Sequence, residues 1–486
     1  MSKGLFAKKT IKSLLNEASD TKHGLRKSLG PIQLTAMGIG GIIGAGIFVL
    51  TGQAAAEYAG PGIIFSFIFA AIICVFAALC YAEFASLIPI SGSAYSYAYA
   101  TMGEFTAWTI GWCLTLEYLF SASTVAVGWS GYCVSFLNDF GVYIPVKLAS
   151  SPFAYEIGKG WSATGALVNL PAIFIVAFIG GLVATGIKAA AGFNSIMVII
   201  KLLVVFLFIG CGIAYVHPEN WHPLIPENTG IFGELGWSGI FRGAGVVFFA
   251  YIGFDALSTL SQEAKNPQKD LPIGMLGSLG ISTVVYIIMG LILTGIVSYK
   301  LLGVPDPIAV AVNAFGQSFL WLRLVIKIAI LAGLTSVILV MLIGQSRVFY
   351  TMAHDGLLPH RFGTIHPKHR TPFFTTIVVT LVAMLVAGTM PVGLIGQIVS
   401  MGTLLAFAIV CFGVLVLRYT QPLLHRPFKC PFSPWIPLAG TLASIFQMLL
   451  LPGVTWVQLI IWMIIGCVIY FNYSQYHSKV RAVKRG

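Results

Sequence analysis

Three ionisable side chains stand in stretches that are otherwise apolar. Lys201 lies in NSIMVIIKLLVVFLF, Glu117 in TLEYLFSAS and Asp255 in FFAYIGFDALSTL. A charge at the centre of a bilayer costs about 2.5–3.5 kcal/mol even on a lenient insertion scale, so such residues pair, line water or take part in function. A buried lysine that loses and regains a proton is a coupling element. A buried carboxylate can meet a cationic ligand or order the backbone beside it. Plainer roles stay open for each: Lys201 bonded to backbone carbonyls, Glu117 and Asp255 bonded to a hydroxyl or to main chain. Glu117 is expected near a ligand site, and Asp255 is expected to order its own helix and the neighbours. Glu83, near the end of another apolar run, is expected to be a gating or structural charge.

The backbone that must position them is unusual. Residues 38–52 read GIGGIIGAGIFVLTG, with glycine at 38, 40, 41, 44, 46 and 52. Glycine weakens a helix by about 1 kcal/mol relative to alanine. Irregular backbone at membrane depth survives only where it is buried or lines a cavity. Free N–H groups at the positive end of a half-helix suit an anion such as a carboxylate. Close helix packing is the rival explanation, and Gly40 and Gly44 fit it. Gly38, Gly41 and Gly46 spread around the helix, which favours a break. The stretch FFAYIGFDALSTL (248–260) has a central Gly253 followed by Asp255. Two interrupted spans at corresponding positions of two halves point to an inverted repeat with a midplane site. Carbonyls near Ala250 to Phe254 suit an ammonium. A ligand with both groups on one carbon is an amino acid.

Composition places these elements in a bilayer. The 486 residues are 57% hydrophobic and 9% charged, against about 25% charged in a soluble domain. Apolar runs occupy 31–57, 62–88, 105–137, 169–187, 192–216, 238–261, 272–298, 322–352, 373–389, 393–418, 436–451 and 454–474. A span needs about 20 apolar residues, so twelve transmembrane helices are expected. The runs are continuous rather than alternating, which argues against a β-barrel. Residues 1–30 are polar and basic and read as a cytoplasmic tail without a cleavable signal. The net charge of +12 comes from residues flanking spans, so no nucleic-acid partner is expected. Basic loops alternate with poor ones, which places both termini in the cytoplasm. Arg242, Arg323 and Lys327 are expected as interface anchors, Trp161 and Trp221 as belt residues, and the loop with Glu263, Lys265, Lys269 and Asp270 as a solvated surface. The eight cysteines form no CxxC pair and read as small buried hydrophobes. Histidines 354, 360, 366 and 369 share a loop with Pro359, Pro367 and Pro372, and no metal site is expected there.

Five segments carry a resemblance: GIGGIIGAGIF (38–48), YAEFASLIPISGSAY (81–95), FFAYIGFD (248–255), NPQKDLPIG (266–274) and AHDGLLP (353–359). They are similar to the amino acid–polyamine–organocation superfamily, and most like bacterial relatives of the cationic amino acid transporter family, over essentially the whole chain. The resemblance implies an all-α membrane protein of the leucine-transporter type with discontinuous spans one and six. It implies five-helix repeats at 31–216 and 238–418, accessory helices at 436–474, and basic tails at 1–30 and 475–486. Transport by alternating access follows, with no enzymatic step; the chain also lacks a Ser–His–Asp, HExxH or GxSxG pattern.

By the same resemblance, the backbone of Ile43, Gly44, Ala45 and Gly46 holds a substrate carboxylate. Carbonyls of Phe249, Ala250 and Ile252 hold the amine, Phe249 is the aromatic gate, and Met341 lines the side-chain pocket. Relatives often carry a hydroxyl residue where this chain has Ala45, and an acid where it has Gln262. Lys201 stands where sodium-coupled relatives hold the ion, which implies proton-coupled import without sodium and no other cofactor. Met341 suggests small neutral L-amino acids such as alanine; Glu117 keeps arginine, lysine and ornithine open. An exchanger or exporter of amino acids or polyamines, and a sensor or channel of the same fold, remain alternatives. The expected setting is the cell membrane, as a monomer or weak oligomer.

Overall fold

The computed structural model describes residues 5–11, 13, 14, 25, 27–44, 46–156, 160–304, 307–316, 319–390, 392–451 and 453–483. Ala45 falls outside them. Nearly all ordered backbone is helical, as a chain without water to bond its N–H and C=O groups requires.

Helix α1 (Pro31–Ile42) starts on a proline, and the Gln33 side chain accepts from Gly30 N–H at 3.0 Å. It stops at Ile43, whose backbone is extended (φ −76°, ψ 100°). The chain then winds on from Gly46 to Ala59 with π turns at Gly46–Leu50 and Ala55–Ala59. Helices α2 (Ile63–Leu87) and α3 (Ala94–Thr101) follow. Next come α4 (Glu104–Thr115) and α5 (Ser121–Asp139), joined without a break by a π turn at Leu116–Phe120. A hairpin of β1 (Phe153–Glu156) and β2 (Gly160–Ala163) pairs antiparallel, Phe153 opposite Ala163. It lies in a connection where no strand was expected, and Trp161 stands in β2.

Helices α6 (Leu170–Thr185) and α7 (Ile187–Gly212) lead to α8 (Gly236–Phe248), the second interrupted helix. A 3₁₀ turn at Phe249–Tyr251 ends α8, and a 3₁₀ segment at Asp255–Leu260 resumes after Gly253. The remaining helices are α9 (Pro267–Ile296), α10 (Pro307–Asn313), α11 (Leu320–His354), α12 (Phe373–Thr389), α13 (Val392–Thr420), α14 (Trp435–Leu449) and α15 (Gly453–Ile469). Each of the twelve apolar runs is thus helical. Among the described residues eight helices are long and apolar enough to cross a bilayer, and α6, α12 and α14 are apolar but shorter. The core gathers around α1, α2, α9 and α11: α9 packs on α1 and α2, α11 packs on α1, and all four meet the second interruption. The apolar stretch of α11 is 89% buried, that of α15 22%, so α11 is central and α15 peripheral.

Three surface expectations change. The described part of 1–30 is packed rather than free: Leu14, Leu25 and Leu29 are buried, and Lys9 pairs with buried Asp355. Ser28 and Leu29 N–H groups donate to Glu263 O at 2.8 and 3.0 Å. The leucines are too widely spaced to show a periodic face, which is why the segment read as polar. Glu263 is not on a solvated loop; it is fully buried and paired with fully buried Arg347 at 3.0 Å. Lys327 is no interface anchor. It is buried against Asp139 and the Ser135 carbonyl, because α5 and α11 pack side by side there. Arg242, by contrast, is exposed and lies over the Tyr58 ring at 5.1 Å.

Candidate functional site

The two interruptions cross. Gly253 has φ +122°, a conformation that side chains rarely adopt. A Cβ built on it would lie 2.9 Å from both the carbonyl carbon and oxygen of Gly41. A Cβ on Gly46 would fall 2.1 Å from the Ala250 Cβ. Tyr286 of α9 ties the pair: its hydroxyl lies 2.8 Å from the carbonyl oxygens of both Ile42 and Ala250. The ends of the two half-helices are therefore held against each other by backbone contact.

The glycines also settle how break and packing share this segment. The helix does break, after Ile42. Yet Gly38 and Gly40 lie within intact α1, and their Cβ positions would collide with Ser278 and Asn194, each at 2.3 Å. Gly44 meets Val337 at 2.7 Å. The glycines spread around the helix because α1 is enclosed by α7, α9, α11 and the second interruption. The wide spread thus reflects close packing against several neighbours as well as the break.

Lys201 of α7 is fully buried. Its Nζ lies 3.0, 3.2 and 2.7 Å from the carbonyl oxygens of Ile39, Gly40 and Ile43, and 2.9 Å from Ser336 Oγ. Ser336 Oγ is also 2.9 Å from Gly40 O. The last carbonyls of a helix are unpaired and carry negative partial charge. Lys201 caps the end of α1 at its break, so the bond to carbonyls and the place beside the unwound backbone coincide.

Glu117 and Asp255, both fully buried, stand beside each other, with Thr403 against Glu117. Tyr118 Oη donates to Asp255 Oδ2 at 2.6 Å. Ser258 Oγ donates to Ser93 Oγ at 2.6 Å and is equally close to Asp255 O. The π turn at Leu116–Phe120 carries Glu117 and Tyr118 to the resumption of the second interrupted helix. Glu83 is elsewhere, 2.6 Å from Arg418, 3.1 Å from Arg426 and accepting from Cys430 N–H at 2.7 Å.

Between the breaks lies a cavity of about 20 Å³, room for one water. Gly44, Gly46, Phe249, Ala250, Ile252 and Met341 line it, all expected from the sequence. Gly41, Ile42, Ser121, Val125 and Val337 line it too and were missed. Of the expected residues, Ile43 donates its N–H to Ile39 O at 2.9 Å and gives its carbonyl to Lys201, and it is not in the wall. Glu117 is not in the wall either. Ala45 lies outside the described residues. Tyr286, Ser336 and Asn194 gave no signal, since a hydroxyl or amide in an apolar run is ordinary.

This geometry meets a clear match. The family model described as amino acid permease covers residues 29–478. The chain belongs to the amino acid permease family. It lies within the amino acid–polyamine–organocation superfamily, and it is a multi-pass membrane transporter, not an enzyme. It is 45% identical to the branched-chain amino acid permease BcaP of Bacillus subtilis (strain 168), over 99% of this chain and 100% of that one. It is 42% identical to a methylthioribose transporter of the same organism, over 98% of each. Identity with cationic amino acid transporter 4 of Homo sapiens is 32%, over 95% of this chain and 76% of the other.

Proposed function

We propose that this permease imports L-amino acids with small neutral side chains, alanine among them, in symport with protons and without sodium. It does so from the cell membrane, with twelve spans in two inverted five-helix repeats plus two, and both termini in the cytoplasm. One observation carries this: the two broken helices meet at Gly41–Gly253 and Gly46–Ala250 around a common cavity. A ligand there would meet the main chain of Gly44 and Gly46 on one side and that of Phe249, Ala250 and Ile252 on the other, which suits a carboxylate and an amine on one carbon. The side chains of the remaining wall are Ser121, Val125, Ile252, Val337 and Met341, with no carboxylate among them. They favour a neutral aliphatic chain over a cationic one, and the branched-chain permease among the relatives extends the range to valine.

The cavity holds far less than an amino acid, so Phe249 or Met341 must move for a ligand to enter, as alternating access requires. Lys201 supports proton coupling. Its ammonium holds the broken end of α1, and loss of its proton would weaken that hold and free the half-helix to move.

The test is uptake of labelled L-alanine into proteoliposomes with an inside-alkaline gradient and no sodium, with and without excess arginine. Uptake that follows the gradient and ignores arginine supports the proposal. Strong competition by arginine would move the substrate to the cationic class. Uptake only after preloading with amino acid would identify an exchanger and remove the role given to Lys201.

A further inference from the structure

Ser121 is the only polar side chain among the described residues of the cavity wall. It is 2% exposed, and its hydroxyl has no hydrogen-bond partner. Its neighbours on the same helix behave differently. Ser123 donates to Leu119 O at 3.0 Å and Thr124 to Phe120 O at 2.9 Å, the usual return of a hydroxyl to the carbonyl four residues back. Ser121 follows directly on the π turn at Leu116–Phe120, where the backbone ladder shifts by one residue. Its hydroxyl is left free at the cavity wall. A buried hydroxyl without a partner is costly unless something supplies one.

Position says which part of a ligand that would be. Ser121 and Val125 are one turn apart on α5; Val337 and Met341 are one turn apart on α11; the two helices pack together. These four are the side chains that α5 and α11 bring to the cavity, whereas the groups assigned to the carboxylate and amine are main chain of the two interrupted segments. We propose that Ser121 is a specificity-determining residue: its hydroxyl bonds a polar atom on the substrate side chain, so the site prefers a hydroxylated chain such as threonine's over the isosteric chain of valine. This presupposes that the cavity receives an amino acid, as proposed above. Threonine and valine share shape and differ by one hydroxyl, and a site built to bond that hydroxyl discriminates against the chain that lacks it.

The experiment measures kcat/KM for uptake of L-threonine, L-valine and L-alanine by purified protein in proteoliposomes, for the wild type and Ser121→Ala. The threonine-to-valine ratio should exceed one in the wild type and fall about tenfold in the variant. Ser121→Cys keeps the size with a weaker donor and should fall between; it supplies the ratio if Ser121→Ala does not fold. Each ratio is taken within one protein, so a general loss of activity does not move it. Uptake with equal ratios in wild type and variants overturns the role of Ser121 and leaves the amino acid reading standing. A wild type that takes up none of the three overturns that reading, and this one with it.

Discussion

Gly253 and Gly41 touch through their backbones: the absent Cβ of Gly253 would lie 2.9 Å from the Gly41 carbonyl, at a φ of +122°. Nothing flexible can yield there, since the obstructing atoms are main chain. Gly253→Ala should therefore separate the two broken helices and abolish uptake, with strain of about 1–3 kcal/mol from the backbone alone. At Gly46 the obstruction is the Ala250 Cβ at 2.1 Å together with its Cα at 2.6 Å, and only the first can be removed by substitution. Gly46→Ala should lose most uptake, and Gly46→Ala with Ala250→Gly should recover part of it. Uptake normalised to membrane protein level decides; a double variant no better than the single would show that the contact is not what matters.

Tyr286→Phe removes one hydroxyl and leaves the carbonyls of Ile42 and Ala250 without their shared donor. A lost buried bond of this kind costs about 1–3 kcal/mol. The expected outcome is a five- to thirtyfold fall in kcat/KM, since about 1–2 kcal/mol corresponds to that factor. Folding should survive, because α9 keeps its apolar contacts with α1 and α2. Unchanged transport kinetics would remove Tyr286 from the mechanism.

What the sequence made legible were features that violate a local rule. Six glycines where a bilayer wants a helix, a lysine amid leucines and valines, and a glycine followed by aspartate each stand out without knowledge of any partner. Lys201 beside the first break was expected only through family likeness, and the carbonyls it caps came from the fold. What stayed hidden obeys every local rule. Tyr286 reaches a carbonyl 244 residues away, and Ser336 reaches Gly40 across 296. Glu263 looked solvated because its sequence neighbours are polar, and its burial depends on Arg347 from α11. Ser121 reads as any hydroxyl in an apolar helix, and only the fold sets it unpartnered at the cavity wall.

Glu263 and Arg347 form a fully buried pair with two contacts, Nη2 to Oε1 at 3.0 Å and Nε to Oε2 at 3.3 Å. Removing one partner strands the other charge, at a cost of about 3–5 kcal/mol, whereas replacing both can be neutral. Glu263→Gln and Arg347→Met should each lower the thermal midpoint of the detergent-purified protein. The double variant should restore much of it. A double variant that falls by the sum of the singles would mean that the two residues act independently, contrary to their geometry.

Lys201 gives the prediction closest to the coupling step. Lys201→Met keeps the length and apolar stem but leaves the carbonyls of Ile39, Gly40 and Ile43 uncapped at the break. Lys201→Arg keeps a cation that does not lose its proton. If proton release from Lys201 drives the cycle, both variants should lose gradient-driven alanine uptake by tenfold or more. They should differ in stability, however, with Lys201→Met the less stable because polar backbone is left unsatisfied. The decisive comparison is uptake with and without the pH gradient for each variant. A Lys201→Met protein that still concentrates alanine in response to the gradient would show that the lysine serves only as a cap, and the proton would have to be carried elsewhere, with the adjoining carboxyl groups of Glu117 and Asp255 the next to replace.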